Sequence, residues 1–190
     1  MSRMMEFIKS LYGEAVEWCE GRLWHFRLLI VIWFVYILVN HLADPMYQSL
    51  FKPLNLGIHE LGHFVFRPLG RFLEVAGGSV LQCLAPIISV VMFFVRRDFF
   101  AIAFCFGWLS TNLFDVATYV ADARDMALPL VNVGGGDAIH DWHYILSDMG
   151  MLNADTTLAF LVRIGATISM VISLLAGVWL LWQMFKYRRA

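Results

Sequence analysis

Charged residues are scarce in this sequence of 190 residues, because Asp, Glu, Lys and Arg make up 15% of it. An average soluble domain has about 25% charged residues and about 45–50% apolar ones. Here the hydrophobic residues reach 60%, which argues against a soluble globular enzyme and favours a protein of the lipid bilayer. The formal net charge is −1 and no basic stripe is present, so a nucleic-acid partner is not expected.

Cysteine is also rare. The three residues Cys19, Cys83 and Cys105 are odd in number and form no CxxC pair. Neither a disulfide framework nor a zinc site made of thiolates is indicated. The length favours one domain over residues 1–190, and the composition is typical of a small polytopic membrane protein.

Four apolar stretches are long enough to cross a bilayer, which takes about 20 helical residues. They cover residues 23–42, 78–95, 99–121 and 157–184. A shorter segment, 54–67, would extend about 21 Å as a helix, less than the roughly 30 Å of the hydrocarbon core. We therefore predict an all-α polytopic membrane bundle with four full transmembrane helices plus this short helix, or with five spans.

Two segments outside these stretches carry most of the polar residues. Residues 1–22 have apolar residues at helical spacing with charges between them, which predicts an amphipathic helix on the membrane surface or, as the alternative, an ordinary solvated helix. Residues 122–156 form a polar loop with a glycine triplet at 134–136, which we interpret as a hinge. After it, Asp137 is a candidate cap for a short helix.

The distribution of Lys and Arg predicts the orientation. If segment 54–67 does not cross, nine of the 14 basic residues lie on the side of the termini and five on the opposite side. If it crosses, six lie inside and eight outside. Because cytoplasmic loops carry the excess of positive charge, we expect the first arrangement. The C-terminus is then cytoplasmic, the 122–156 loop is extracytoplasmic, and the membrane is expected to be the bacterial cytoplasmic membrane.

The short segment contains the motif His59-Glu60-Leu61-Gly62-His63. Positions i and i+4 of a helix share a face, so both imidazoles can bind one Zn²⁺. Glu60 then lies beside the open position of the metal, where it can take a proton from water and return it to a leaving amine. With six His and six Glu in the chain, chance produces an HExxH match about 0.006 times.

An HExGH motif in an apolar segment resembles the site-2 protease type of integral membrane zinc metalloprotease. The resemblance covers the motif and the helix order over about residues 54–121. It implies a zinc cofactor and cleavage of membrane-protein or peptide substrates. It also implies an Asp ligand on the second helix after the motif, usually in an LDG sequence preceded by Asn. The corresponding stretch here has Asn112 and Asp115 but no LDG.

A catalytic zinc keeps three protein ligands and one open position, so a third ligand is needed. We rank Asp115 first, because a lone carboxylate in an apolar helix needs a partner. Its alternative role is to accept a hydrogen bond from the ring of one of the two histidines. His140 and Asp141 of the outside loop rank second and third, ahead of Asp137 and His143.

These features together predict an integral membrane zinc metalloprotease in which Glu60 is general base and then general acid. The alternative is a non-proteolytic zinc-binding scaffold or an inactive protease relative, which would not need Glu60 beside the metal. A haem bundle built on His25 and His41 is a weaker alternative, because it needs histidines on facing helices and the other four belong to the motif or the loop. We interpret His25 and His41 as histidines at the headgroup level. The sequence does not predict an oligomeric state.

Overall fold

Helices account for nearly all the regular structure of the chain. The computed structural model describes residues 2–129 and 139–188, and these ranges contain seven α-helices and no strand. The helices are α1 (Ser2–Cys19), α2 (His25–Ala43), α3 (Lys52–Phe66), α4 (Arg71–Val95), α5 (Phe99–Ala121), α6 (Asp141–Asp148) and α7 (Asp155–Lys186). Short 3₁₀ helices, Arg67–Leu69 and Leu152–Ala154, precede α4 and α7. The predicted all-α fold class is confirmed.

Four of these helices, α2, α4, α5 and α7, are long and apolar enough to cross a membrane. They confirm the four predicted spans and indicate a membrane protein. With 15 residues, α3 extends about 22 Å and is the short additional helix. The structure starts α4 at Arg71, well before residue 78. The chain turns at Gly70 with a φ of 98°, and residues 71–77, in which Arg71 and Glu74 interrupt the apolar run, are already helical.

The central helix of the bundle is α5. Of its most apolar window, 56% is buried inside the protein, against 22% for α2 and for α4. Its most extensive contact is with α7, where the Ser169 hydroxyl donates to the Phe106 carbonyl oxygen at 2.7 Å. On the α2 side, a Cβ at Gly107 would collide with the ring of Phe34. Polar side chains on α5 therefore face protein rather than lipid.

At one end of the bundle lies a group of seven buried hydrophobic residues, which we call the apolar cluster. It consists of Cys19, Val31, Phe100, Ala103, Leu180, Leu181 and Met184. Through Cys19, this cluster anchors α1 against α7. The apolar residues Met4, Phe7 and Ile8 of α1 stay exposed. The structure thus places a helix in the N-terminal segment, and its amphipathic contact with a membrane surface remains a prediction.

In its described part, the polar segment 122–156 contains α6, the 3₁₀ helix Leu152–Ala154 and the first residues of α7. The glycine triplet at 134–136 and the candidate cap Asp137 lie outside the described residues. Instead, α6 begins at Asp141 with His140 as its N-cap, since His140 Nδ1 accepts the His143 backbone N–H at 3.1 Å.

The two histidines of α2 differ in their surroundings. His25 is exposed and stacks on Trp24. His41 is buried and stacks on Phe114 with the ring centroids 4.3 Å apart. His41 therefore points into the bundle, which the interpretation as a headgroup-level residue did not foresee.

Candidate metal centre

The two histidines of the HELGH motif meet a carboxylate from a distant part of the chain. His59 and His63 lie one turn apart on α3, so their rings share a face. Asp141 Oδ2 lies 2.9 Å from His59 Nε2 and 3.4 Å from His63 Nε2. The three ligand atoms lie within 4.8 Å of one another, close enough to hold one metal ion. We call these three residues the metal triad.

Asp115, the first-ranked candidate for the third ligand, has different partners. Its carboxylate lies 3.3 Å from Lys52 Nζ and accepts a hydrogen bond from the Asn55 amide at 2.8 Å. These contacts join the start of α3 to α5. Asp115 therefore anchors the helix that carries the motif, and neither histidine ring of the triad donates to it.

His140, the second-ranked candidate, uses both ring nitrogens in hydrogen bonds within and beside its own loop. Since His140 Nδ1 accepts the helix-capping bond, its Nε2 carries the hydrogen, which it donates to Asp122 Oδ2 at 3.1 Å. The next histidine, His143, donates from Nδ1 to the Ala123 carbonyl oxygen at 2.8 Å. Of the ranked candidates, the structure thus brings Asp141 to the motif.

Hydrogen bonds behind the two rings determine which nitrogen faces Asp141. His63 Nδ1 lies 2.9 Å from the backbone carbonyl oxygen of Glu74; a carbonyl only accepts, so Nδ1 carries the hydrogen. His59 Nδ1 lies 2.9 Å from Gln82 Oε1. The Gln82 amide nitrogen donates to a backbone carbonyl at 3.3 Å, which turns Oε1 toward the ring. Both Nε2 atoms therefore present lone pairs to the carboxylate.

Three acceptor atoms that face one another require a cation. Two imidazoles and a carboxylate match the ligands that Zn²⁺ takes, and a carbonyl behind each ring is the support that metal-binding histidines usually have. Without a metal, protons meet the requirement, and the hydrogen bond with Asp141 raises the pKa of His63 to about 9. The residues of the triad therefore fit a zinc ion.

Glycines bring α3 and α4 close enough for these contacts. A Cβ on Gly62, inside the motif, would collide with the backbone of Gly77. A Cβ on Gly78 would lie 2.6 Å from His59 Nε2, so the missing side chain leaves space beside the nitrogen that faces Asp141. The close packing places Gln82 and the Glu74 carbonyl within reach of the rings.

Helix α6 is held over the motif by bonds to two other helices. The Asp141 backbone N–H, free at the start of a helix, donates to the Tyr119 hydroxyl at 3.0 Å. Trp142 Nε1 donates to Ser79 Oγ at 3.1 Å. Because these bonds hold the first turn of α6 against α5 and α4, the carboxylate of Asp141 is directed at the histidines.

Glu60 has no hydrogen-bond partner in the described part of the chain. It follows His59 on α3, about 100° further round the helix, and is partly exposed. Its carboxylate also contributes to raising the pKa of His63, after the larger effects of Asp141 and Glu74. The Glu60 carboxylate therefore lies next to the triad without a hydrogen bond to any of its three residues.

Comparisons of the chain with models of known protein families, with curated proteins and with solved structures give no match. The chemistry of the site is accordingly argued from its own residues.

Sequence reasoning named the triad and Glu60 among its candidates but missed the residues that orient them. Gln82 had a usable signal, since a buried amide in an apolar stretch needs a partner. Glu74 acts through its backbone carbonyl, for which a sequence has no signal. Tyr119 has no local signal either, because its bond to Asp141 depends on the docking of α6.

Proposed function

We propose that this protein is an integral membrane zinc metalloprotease that hydrolyses peptide bonds of membrane or membrane-proximal proteins. The observation that carries the proposal is the convergence of His59, His63 and Asp141 with an uncommitted Glu60 beside them. Residues 1–190 would form one membrane metallopeptidase-like domain. The partners would be the lipid bilayer and a protein or peptide substrate.

Each residue of the site has a defined task in such a reaction. A zinc ion held by the triad would polarise the peptide carbonyl and lower the pKa of a water molecule toward about 7. Glu60 accepts the proton of the attacking water and delivers it to the amine nitrogen as the C–N bond breaks. Asp141 contributes one negative charge, and the hydrogen bonds to Gln82 and Glu74 hold the lone pairs of the histidines in place.

The triad lies toward one end of the membrane bundle. Ser79 is about two turns from the start of α4, and Tyr119 is within one turn of the end of α5. The basic residues on the side of the termini support placing this end outside the cytoplasm. We propose that the protein lies in the bacterial cytoplasmic membrane with its C-terminus in the cytoplasm. Its substrates would then be cut close to the extracytoplasmic surface of that membrane.

Zinc content tests the site. We would measure zinc by plasma mass spectrometry in detergent-purified wild type, His59→Ala, Asp141→Asn and Asp115→Asn, after checking that each is monodisperse and helical. The last two are matched, because each replaces a buried carboxylate by an amide. We expect about one zinc per chain in wild type and Asp115→Asn, and loss of zinc in the other two.

Two results would contradict this assignment. If Asp141→Asn kept zinc and Asp115→Asn lost it, the third ligand would be Asp115 of α5 rather than Asp141. Absence of zinc from wild type, even after zinc is added during purification, would reject the metal site altogether.

Cleavage tests the reaction. Wild type and Glu60→Gln, both loaded with zinc, would be incubated in detergent micelles with a pool of synthetic peptides that each contain an apolar stretch of about 20 residues. New termini would be read by mass spectrometry. We expect termini that appear with wild type and are absent with Glu60→Gln. Zinc in both proteins without Glu60-dependent termini would favour the non-proteolytic zinc-binding scaffold.

A further inference from the structure

Tyr119 of α5 lies beside the metal triad. Its ring centroid lies 6.0 Å from that of His59 and 4.4 Å from that of His140. The side chain is therefore enclosed between the first ligand and the residue that precedes the third. Its oxygen lies 3.0 Å from the Asp141 backbone nitrogen, which places the phenol at the edge of the triad.

The hydroxyl of Tyr119 uses only its acceptor function. A phenol can accept and also donate one hydrogen bond. The oxygen accepts the N–H of Asp141, while no group within residues 2–129 and 139–188 accepts the phenolic hydrogen. That hydrogen is therefore free for a molecule bound beside the third ligand.

Several ring and amide donors around the triad are engaged in hydrogen bonds. The Gln82 amide nitrogen donates to a backbone carbonyl, Trp142 Nε1 donates to Ser79, and His140 Nε2 donates to Asp122. Ser79 Oγ and the second amide hydrogen of Gln82 also lack an acceptor in the described structure, but of the two hydroxyls only that of Tyr119 is bonded to a residue of the triad. A bound peptide carbonyl would find its protein hydrogen-bond donor there.

Resting on the proposed proteolysis, we propose that Tyr119 is a catalytic residue that donates a hydrogen bond to the oxyanion of the reaction. When the water oxygen bonds to the peptide carbon, the π electron pair of the C=O bond moves onto the carbonyl oxygen, and the water proton goes to Glu60. The pair then returns, the C–N bond breaks, and the proton on Glu60 moves to the nitrogen. Tyr119 keeps its proton throughout and stabilises the negative charge while it exists.

The substitution Tyr119→Phe removes the hydroxyl and keeps the ring. With zinc bound, we expect kcat for the fastest-cut peptide of the pool to fall about 100-fold, the range found when one oxyanion donor is removed. KM should change by less than about threefold, because the bond forms mainly in the transition state. Tyr144→Phe is the matched control, since Tyr144 lies on α6 beside Arg71, and its kcat should equal that of wild type.

A second measurement distinguishes a catalytic role of Tyr119 from a role in positioning Asp141. A phosphinic analogue of the same peptide has a charged tetrahedral centre that resembles the intermediate, so Tyr119→Phe should bind it about 100-fold more weakly. Tyr119→Phe also removes the acceptor of the Asp141 backbone N–H, so its zinc affinity should fall about 10-fold, but kcat should stay low in zinc that saturates the site. If Tyr119→Phe regains the wild-type rate in excess zinc, the residue only positions Asp141 and the proposal is overturned.

The outcomes also distinguish this proposal from the proposed function. Wild-type cleavage that depends on Glu60, with kcat unchanged in Tyr119→Phe, overturns the role of Tyr119 and leaves the protease intact. Absence of Glu60-dependent cleavage in wild type overturns the protease, and the role of Tyr119 with it.

Discussion

The apolar cluster around Leu180 and the metal triad lie in the same bundle but are stabilised differently. The cluster contains seven buried hydrophobic residues from α1, α2, α5 and α7. The triad is surrounded by hydrogen bonds among α3, α4, α5 and α6, with distances from 2.8 to 3.3 Å. Packing of apolar side chains is non-directional, whereas each of these hydrogen bonds requires a particular atom at a particular place.

This difference has consequences for substitutions. In the apolar cluster, residues of similar volume should replace one another, since volume and shape are what packing requires. Around the triad, a replacement of equal volume removes a donor or acceptor and leaves its buried partner unsatisfied. Stability should therefore respond mainly to changes in the cluster, and zinc affinity to changes around the triad.

The largest effect, because it combines a loss of stability with a loss of zinc, is expected where backbones touch. Gly62→Ala forces a methyl group into the backbone of Gly77, so α3 and α4 must separate. We expect a loss of about 3 kcal/mol of unfolding free energy and loss of bound zinc, measured by thermal unfolding in detergent and by metal analysis.

Gly57→Ala is the control on the same helix. No atom lies within 4 Å of a Cβ at Gly57, so the substitution should be neutral or stabilise the protein by up to about 1 kcal/mol. Equal behaviour of the two variants would show that close approach of α3 and α4 is not needed for the site.

The next effect concerns the apolar cluster. Met184 is fully buried, so Met184→Ala should leave a cavity and reduce stability by about 2–5 kcal/mol. Met184→Leu conserves the volume and should cost less than about 1.5 kcal/mol. Both variants should keep one zinc per chain; a folded Met184→Ala protein that fails to bind zinc would contradict the separation between cluster and triad.

Gln82→Leu should change the free energy of zinc binding by a smaller amount, but it tests the triad more directly. This substitution keeps most of the volume and removes the oxygen that orients His59, so the zinc dissociation constant should rise about 10–100-fold. Competition with a fluorescent zinc chelator would measure it. Gln183→Leu changes a buried amide on α7, and its zinc affinity should match that of wild type if the effect is local.

The smallest effect is expected for an exposed ion pair near the apolar cluster. Glu14 lies 3.0 Å from Arg97 with both side chains at least one third exposed. Water screens such pairs, so Glu14→Gln should change stability by less than about 1 kcal/mol and leave zinc affinity unchanged. A loss several times larger in thermal unfolding would mean that α1 depends on this charge rather than on Cys19 and its apolar neighbours.

Helix existence and the histidine pair could be predicted because both are local. Long apolar runs predicted α2, α4, α5 and α7, and the spacing of His59 and His63 predicted a shared face on a short helix. The start of α4 could not be placed in the same way, since Arg71, Glu74 and two glycines interrupt the apolar pattern of its first turns.

The third ligand shows where sequence reasoning ended. Asp115 ranked first because an isolated carboxylate in an apolar helix needs a partner. The structure supplies that partner as Lys52 and Asn55. Asp141 ranked third, behind Asp115 and His140, because a polar residue in a loop has many solvated explanations, and nothing local indicated that this loop returns to α3.

The sequence by itself determined the membrane-spanning helices and put two imidazoles and Glu60 on one short helix, because hydrophobic length and helical periodicity act over neighbouring residues. Only the tertiary structure decided which carboxylate joins them and which nitrogen each ring presents. Asp141 lies 82 residues from His59 in sequence, and it is brought there by glycine contacts between α3 and α4 and by the bonds that hold α6. Such contacts depend on how helices pack together, which no local pattern encodes.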